Sequence, residues 1–526
     1  MPKSEQINHN KHRFEQLTKI PFRISSAVMD SAVAGVLFTN GMIRAWQDFL
    51  TPFFIAGNSF VSNEKRTIPE KTPDENLRDY TALYRFNAQT AQIGARASIR
   101  QMNEYHRREW NRFVPALLNT LWGNGGETVD SYMAEKVEIL TRLVADYPEA
   151  IRDIGEEFGF HFDRGGYSLA AETDRMCLYQ VHPTKPGVLT DPAGKPILVA
   201  HPYVLGSGIL AFLPTENKSY VHAFANEGIP TYVRIIKDIT VVDAVQVMTG
   251  EDDARDTAYF CHLLKEKHGK PVTLNGFCQG GFICLLNVLS GELDGLVDAL
   301  ITCVAPMDGT RSRGLVEYLE HIAPRFRNLA YATKLLPSGN EVVDGKVMSW
   351  VYKLKSIERE APIFTYYRDV NLFETMRRKG IRGIGKTAAA INHWLLYDRN
   401  DLPVAITQLS FDSYTIPISA DGELPVRLFG RRLNFDHLRE KRIKFLICYA
   451  AKDDLVDPPS ALAPLEFVEA ETTEFPKGHA AIATSWSDPS TEFALHKRYP
   501  DGSRGPVRFQ LDLDEEFSGR NLSAGA

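Results

Sequence analysis

One thiol in this chain stands where an acyl-transfer nucleophile belongs. Cys278 is the middle residue of Gly276-Phe277-Cys278-Gln279-Gly280. The residues ahead of it, Pro271-Val272-Thr273-Leu274-Asn275, read as a short buried strand, and those behind it, Gly281 to Leu289, as an apolar helix ended by Gly291. A strand, a tight Gly-flanked turn and a helix make the context of a nucleophile elbow, with Cys here in the place usually held by Ser. The flanking glycines leave room for strained backbone and for close helix–strand packing. The helix N-terminus favours a developing thiolate there, and the backbone N–H of Gln279 points to where an oxyanion would form. A buried structural Cys in a Gly-rich turn is the plainer alternative.

Such a nucleophile needs a base and an orienting acid, in the chain order nucleophile, acid, base. The later apolar run Lys444–Ala450 reads as a strand and is followed by Asp453-Asp454-Leu455-Val456-Asp457-Pro458-Pro459. Spacing to Leu455-Val456 selects Asp453 as the acid, with Asp454 the alternative. His479, in Pro476-Lys477-Gly478-His479-Ala480 after another strand pattern, fits the base by position and order. A thiol is only a few per cent ionised at neutral pH, so His479 is expected to take its proton. The second oxyanion donor comes from the loop after an early strand. Pro196–Ala200 leads into His201-Pro202-Tyr203-Val204, which makes the backbone of Tyr203 or Val204 that donor. His201 precedes the elbow, a place that suits a structural or oxyanion-loop role.

The elements that must hold these residues form a βα rhythm. Strands are expected at 176–181, 197–200, 231–236, 272–275, 300–304, 444–450 and 468–475, and helices at 217–227 and 252–268, closed by Gly228 and Gly269. Alternation of this kind gives an α/β class with a mostly parallel central sheet. Residues 1–165 read as a helical region, with apolar residues at helical spacing over 81–113 and 130–158. Residues 166–485 are the expected catalytic domain, with a lid insertion at about 309–442 where the rhythm breaks, and 486–526 a C-terminal tail.

At 526 residues and 44% hydrophobic composition the chain can bury a large core, and a net charge of −6 gives no support to nucleic-acid binding. The six cysteines form no CxxC pair, so neither a zinc site nor a disulfide framework is expected. The polar stretch from Met1 to Arg13 gives no sign of a signal peptide, and a reducing cytoplasm is the expected setting. The uncharged stretches 31–43 and 49–63 are each shorter than the ~20 residues a membrane span needs, and Pro52 and Gly57 interrupt the second. No transmembrane segment is therefore expected. These stretches are placed to dock on the catalytic domain, to pair with another subunit, or to meet an apolar surface such as lipid or a polyester granule. Gly380–Thr387 satisfies G-x-x-x-x-G-K-T, but the charged run Phe373–Lys379 before it is unlike the buried strand a phosphate loop follows.

Over about residues 195–484 the chain resembles the polyhydroxyalkanoate synthases. The matching pieces are Gly276–Gly281, Pro214-Thr215-Glu216-Asn217-Lys218-Ser219, Asp453 ahead of Leu455-Val456, and Gly478-His479. The resemblance implies an α/β-hydrolase fold with a helical lid and an N-terminal helical region. It implies polymerisation of 3-hydroxyacyl-CoA thioesters, without a cofactor, through a Cys278 acyl-enzyme. In that reading His479 is the general base, Asp453 orients it, and the partners are the acyl-CoA, the growing polyester, its granule surface and further copies of the chain. The sequence departs from the family at His201-Pro202-Tyr203, where the family has Pro-Pro-Trp, and at Ile235-Ile236-Lys237-Asp238, where it has Asp-Trp. The lid's Trp-Asn…Thr…Pro stretch is only echoed by Phe411–Pro417. A thiol hydrolase (a thioesterase or polyester depolymerase) and a non-catalytic granule or partner-binding protein are the alternative readings.

Overall fold

Short runs of Val, Ile and Leu too apolar to face water on either side form the centre of the sheet. The computed structural model describes residues 15, 18–67, 71–123, 125–313, 316, 327–348 and 361–524. Its main sheet contains β1 (Tyr167–Glu172), β2 (Met176–Val181), β3 (Ile197–Ala200), β4 (Thr231–Ile236), β5 (Val272–Phe277), β6 (Val297–Cys303), β7 (Lys444–Ala450) and β8 (Glu471–Phe475). They lie in the order β1-β2-β4-β3-β5-β6-β7-β8. β2 is antiparallel to both its neighbours, and every pairing from β4 to β8 is parallel. This is the strand order of an α/β-hydrolase, with the strand that carries the elbow at mid-sheet.

β3 and β5 are buried at every position, as their continuous apolar character requires. β1 was not expected, because as an exposed edge strand it carries no continuous apolar run. The other differences lie at element ends. β6 stops at Cys303 because Val304 turns to φ 46°. The expected helix at 217–227 shortens to α4 (Tyr220–Ala225), since Asn217 has φ 54° and Ser219 is extended. α5 (Gly250–His268) is capped by Thr249, whose side chain accepts from the Asp252 N–H, and closes on Gly269. α6 (Gln279–Leu289) follows the elbow and is buried along its whole length.

The chain divides into two compact units, drawn differently from the expected domains. One comprises 1–57, 72–153 and 356–389; the other comprises 58–71, 154–355 and 390–526. The second holds the sheet. Its last helix, Pro506–Ala524, packs on β7, and Gln510 donates to the Lys195 carbonyl at 2.8 Å, so 486–526 is part of this unit and no separate tail. The insertion contributes α7 (Val404–Thr415) here. Part of the expected lid, 314–315, 317–326 and 349–360, lies outside the described residues, as does the Met1–Arg13 stretch.

In the first unit the long helices Ile20–Thr67 (which continues into 58–67) and Pro73–Trp122 accompany Val129–Thr141 and Pro362–Arg378. Lys136 is buried between Glu109 and Glu374, and Arg112 between Glu127 and Glu135. The uncharged stretches near the N-terminus are one continuous 48-residue helix that passes through Pro52. An interior Pro costs a helix about 3 kcal/mol. By length and composition the helix is sufficient to cross a membrane, because the two stretches are joined rather than separate. The Gly380–Thr387 match follows the helix Pro362–Arg378 and runs into the helix Lys386–Tyr397, with a helix where a phosphate loop needs a strand ahead of it.

Candidate active site

Cys278 sits at the tip of the β5–α6 turn with φ 53° and ψ −129°, a conformation rare for any residue with a side chain. Its amide donates to the Cys303 carbonyl at 2.8 Å, and its own carbonyl accepts from the Gly281 N–H at 2.9 Å. The glycines make this turn possible by close approach. A Cβ at Gly276 would lie 2.4 Å from the Gly281 Cα, and one at Gly280 would lie 2.4 Å from the His201 carbonyl.

The loops after β7 and β8 come together beside the thiol. The Lys452 amide donates to the Lys477 carbonyl at 3.1 Å, tying one loop to the other. Asp453, which is 5% exposed, accepts through Oδ1 from the amides of Leu455 and Val456, both at 2.9 Å. Its Oδ2 lies 2.9 Å from His479 Nδ1. Asp454 is exposed. Burial separates the two aspartates that spacing alone left as alternatives.

His479 stacks edge-on against Phe277, 5.8 Å between ring centres. Burial by itself would push its pKa down, but the Asp453 carboxylate and the Cys278 sulfur override this and carry it up to about 10. Nε2 is buried and closes no hydrogen bond of ordinary geometry, yet the sulfur is near enough to act on the ring both as charge and as acceptor. Apo catalytic contacts are commonly loose in this way. Sequence spacing places His479 as the base but carries no information about the buried carboxylate beside it.

Tyr203 and Val204 line the small space at Cys278 together with Pro202, Leu205, Gln279, Tyr414, Leu455 and Val456. The carbonyls of Tyr203 and Val204 are held by Asn400, through its side chain at 3.3 Å and its amide at 3.1 Å. Among the described residues the amides of Val204 and Gln279 donate to no backbone or side-chain acceptor. His201 is buried in the same loop, where burial holds its pKa near 4, and its Nε2 accepts from the Ile236 amide at 3.4 Å. It lies apart from the Asp453–His479 pair.

A polar network that sequence reading missed anchors this loop from below. The buried Arg234 guanidinium on β4 contacts Asp253 of α5 at 2.8 Å and Tyr203 Oη at 2.8 Å. Tyr203 Oη also donates to Asp253, and Asn287 of α6 donates to Asp253 at 2.7 Å. An Arg within an otherwise apolar strand pattern was the available signal. α7 packs beside the elbow: Gln279 donates to Ser410 Oγ at 2.7 Å, and Tyr414 lines the space of about 20 Å³ at Cys278. That volume holds about one water.

No protein-family model matches the chain, and no curated protein does. Solved structures similar to it include an esterase domain of a Rhodothermus marinus protein, at 15% identity over 61% of this chain and 90% of that one, TM-score 0.30. A thioesterase domain from the curacin biosynthetic pathway aligns at 10% identity over 61% and 95%, TM-score 0.31. Est1E from Butyrivibrio proteoclasticus aligns at 9% identity over 68% and 100%, TM-score 0.30.

Proposed function

We propose that this chain is an acyltransferase that, like the polyhydroxyalkanoate synthases it resembles, polymerises 3-hydroxyacyl-CoA thioesters through an acyl-Cys278 intermediate. The observation that carries the reading is a cysteine, rather than a serine, at a strained elbow beside a His479 whose Nδ1 lies 2.9 Å from the buried Asp453 carboxylate.

His479 Nε2 takes the Cys278 proton as the sulfur attacks the thioester carbonyl, and the amides of Gln279 and of Val204 or Tyr203 receive the oxyanion. The bond to CoA breaks, and His479 gives its proton to the departing CoA sulfur. One thioester has been exchanged for another, so the acyl group keeps its transfer potential on the enzyme. The imidazole, now neutral, takes the proton from the 3-hydroxyl of a second acyl unit as that oxygen attacks the acyl-Cys278 carbonyl. General-base help of this kind is worth ~10²–10⁴-fold. The new ester leaves and the protonated ring faces the sulfur again. Asp453 holds Nδ1–H toward itself, leaving Nε2 to work at the sulfur. Exclusion of water by α7 favours the hydroxyl over hydrolysis. The chemistry asks for no metal or cofactor, and an acyl-CoA substrate places the enzyme in the cytoplasm, with its product at a polyester granule.

The test is incubation of the purified chain with 3-hydroxybutyryl-CoA, following CoA release with a thiol reagent and separating polymer from free acid. Polymer is expected. Free 3-hydroxybutyrate alone would reassign the chain as a thioesterase, and equal turnover by Cys278→Ala would remove both readings.

A further inference from the structure

The helix Ile20–Thr67 presents two faces. Ala27, Ala34, Ala45 and Phe49 are buried within its own unit, and Gly41 meets the Tyr366 ring so closely that a Cβ there would lie 2.5 Å from it. The opposite face is apolar and exposed, and its residues follow a seven-residue repeat. Phe22, Met29, Val36, Ile43 and Leu50, spaced by seven, are all exposed. Three residues after the first four of these come Ser25, Ala32, Thr39 and Trp46, also exposed. These are the a and d positions of a heptad, sustained over four repeats, with no charge at any a, d, e or g position from 22 to 50. Three of the four d residues are small, and every a residue is large.

We propose that this face is the interface with a second copy of the chain, the two helices running antiparallel about a two-fold axis between Val36 and Thr39. The alternation dictates the direction. Parallel helices stack a on a and d on d, which would set large side chains on large ones and leave Ser25, Ala32 and Thr39 facing each other across voids. Antiparallel helices stack a on d. Val36 then meets Thr39, Ala32 meets Ile43, and Ser25 meets Leu50, large against small each time. Met29 meets Trp46, a sulfur–aromatic contact. The face is complementary to itself, as a two-fold interface requires. Its exposed side chains offer on the order of 1,000 Å² per protomer, against the ~800 Å² that one side of a standard interface buries. A lipid or polyester surface asks only for apolar bulk and gives no reason for small residues at successive d positions. The proposal is independent of the reaction assigned to Cys278.

The test uses the full chain and cysteine pairing. Oxidation of an equimolar mixture of Ala32→Cys and Ile43→Cys proteins, after subunit exchange, is expected to give a cross-linked dimer. Either variant oxidised alone is expected to give no more than the wild-type background, since each residue would lie ~16 Å from its own copy, too far for a disulfide. Val36→Glu, on an exposed position, is expected to weaken dimerisation at least ~10-fold by light scattering, with helical circular dichroism and iodoacetamide labelling of Cys278 unchanged. Cross-linking of Ala32→Cys alone, a dimer indifferent to Val36→Glu, or a wild-type monomer that floats with phosphatidylglycerol vesicles would each overturn the proposal.

Discussion

Replacing Asp453 by Asn tests the site without changing its shape. The Asn carbonyl oxygen can keep the two amide bonds from Leu455 and Val456, now at 2.9 Å, but its NH₂ group then faces His479 Nδ1. Two donors cannot share that contact, so the ring turns to the tautomer with its proton on Nε2, and the charge that stabilised the imidazolium is gone. With charge centres about 4 Å apart and an effective dielectric of ~20, that charge is worth about 4 kcal/mol. At 1.36 kcal/mol per decade this is a loss of ~10³-fold in the acyl-transfer rate. The assay is single-turnover CoA release from 3-hydroxybutyryl-CoA, with thermal melting to show that the variant folds. Asp454→Asn, an exposed position, is the matched control and is expected to stay within ~2-fold of wild type. The reasoning fails if Asp453→Asn keeps more than a tenth of the wild-type rate, or if Asp454→Asn is the more damaged of the two.

Asp453 and Cys278 raise the pKa of His479 to about 10 against the effect of burial. Because this pKa is raised above the unfolded value near 6.5, the stability it contributes is complete below about pH 6.5 and lost as pH rises toward 10. Wild type should lose more melting temperature than His479→Gln over that interval. Asp253→Ala removes the partner of a fully buried Arg234 and should cost ~3–5 kcal/mol of unfolding free energy in urea, whereas Tyr203→Phe keeps the ion pair. Tyr203→Phe should melt nearly as wild type yet lower kcat with little change in KM, since the loop carrying the oxyanion amides loses its anchor; an unchanged kcat would reduce the network to a structural role. A Cβ at Gly309 would lie 2.2 Å from the Tyr414 ring, so Gly309→Ala should displace Tyr414 and speed Cys278 alkylation several-fold; a slower reaction would show that Tyr414 does not cover the sulfur.

Local rules were enough wherever a residue's role follows from its immediate neighbours. Gly276 and Gly280 around Cys278 can be read as an elbow because only glycine tolerates backbone at that approach, and the apolar runs of β3, β5 and β7 announce buried parallel strands. The order Cys278, Asp453, His479 is likewise written in the chain. What sequence could not supply is anything set by distant atoms. Burial separates Asp453 from Asp454, and a carboxylate and a sulfur brought beside His479 raise its pKa. Arg234 looked out of place in a strand until Asp253, Tyr203 and Asn287 surrounded it. Pro52 read as a break because a Pro in isolation is one, whereas the structure carries the helix through it. The chain itself determines which groups can react and in what order they follow. The tertiary structure decides which of them meet and with what charge, because desolvation and Coulomb forces depend on atoms that folding, not sequence, brings near.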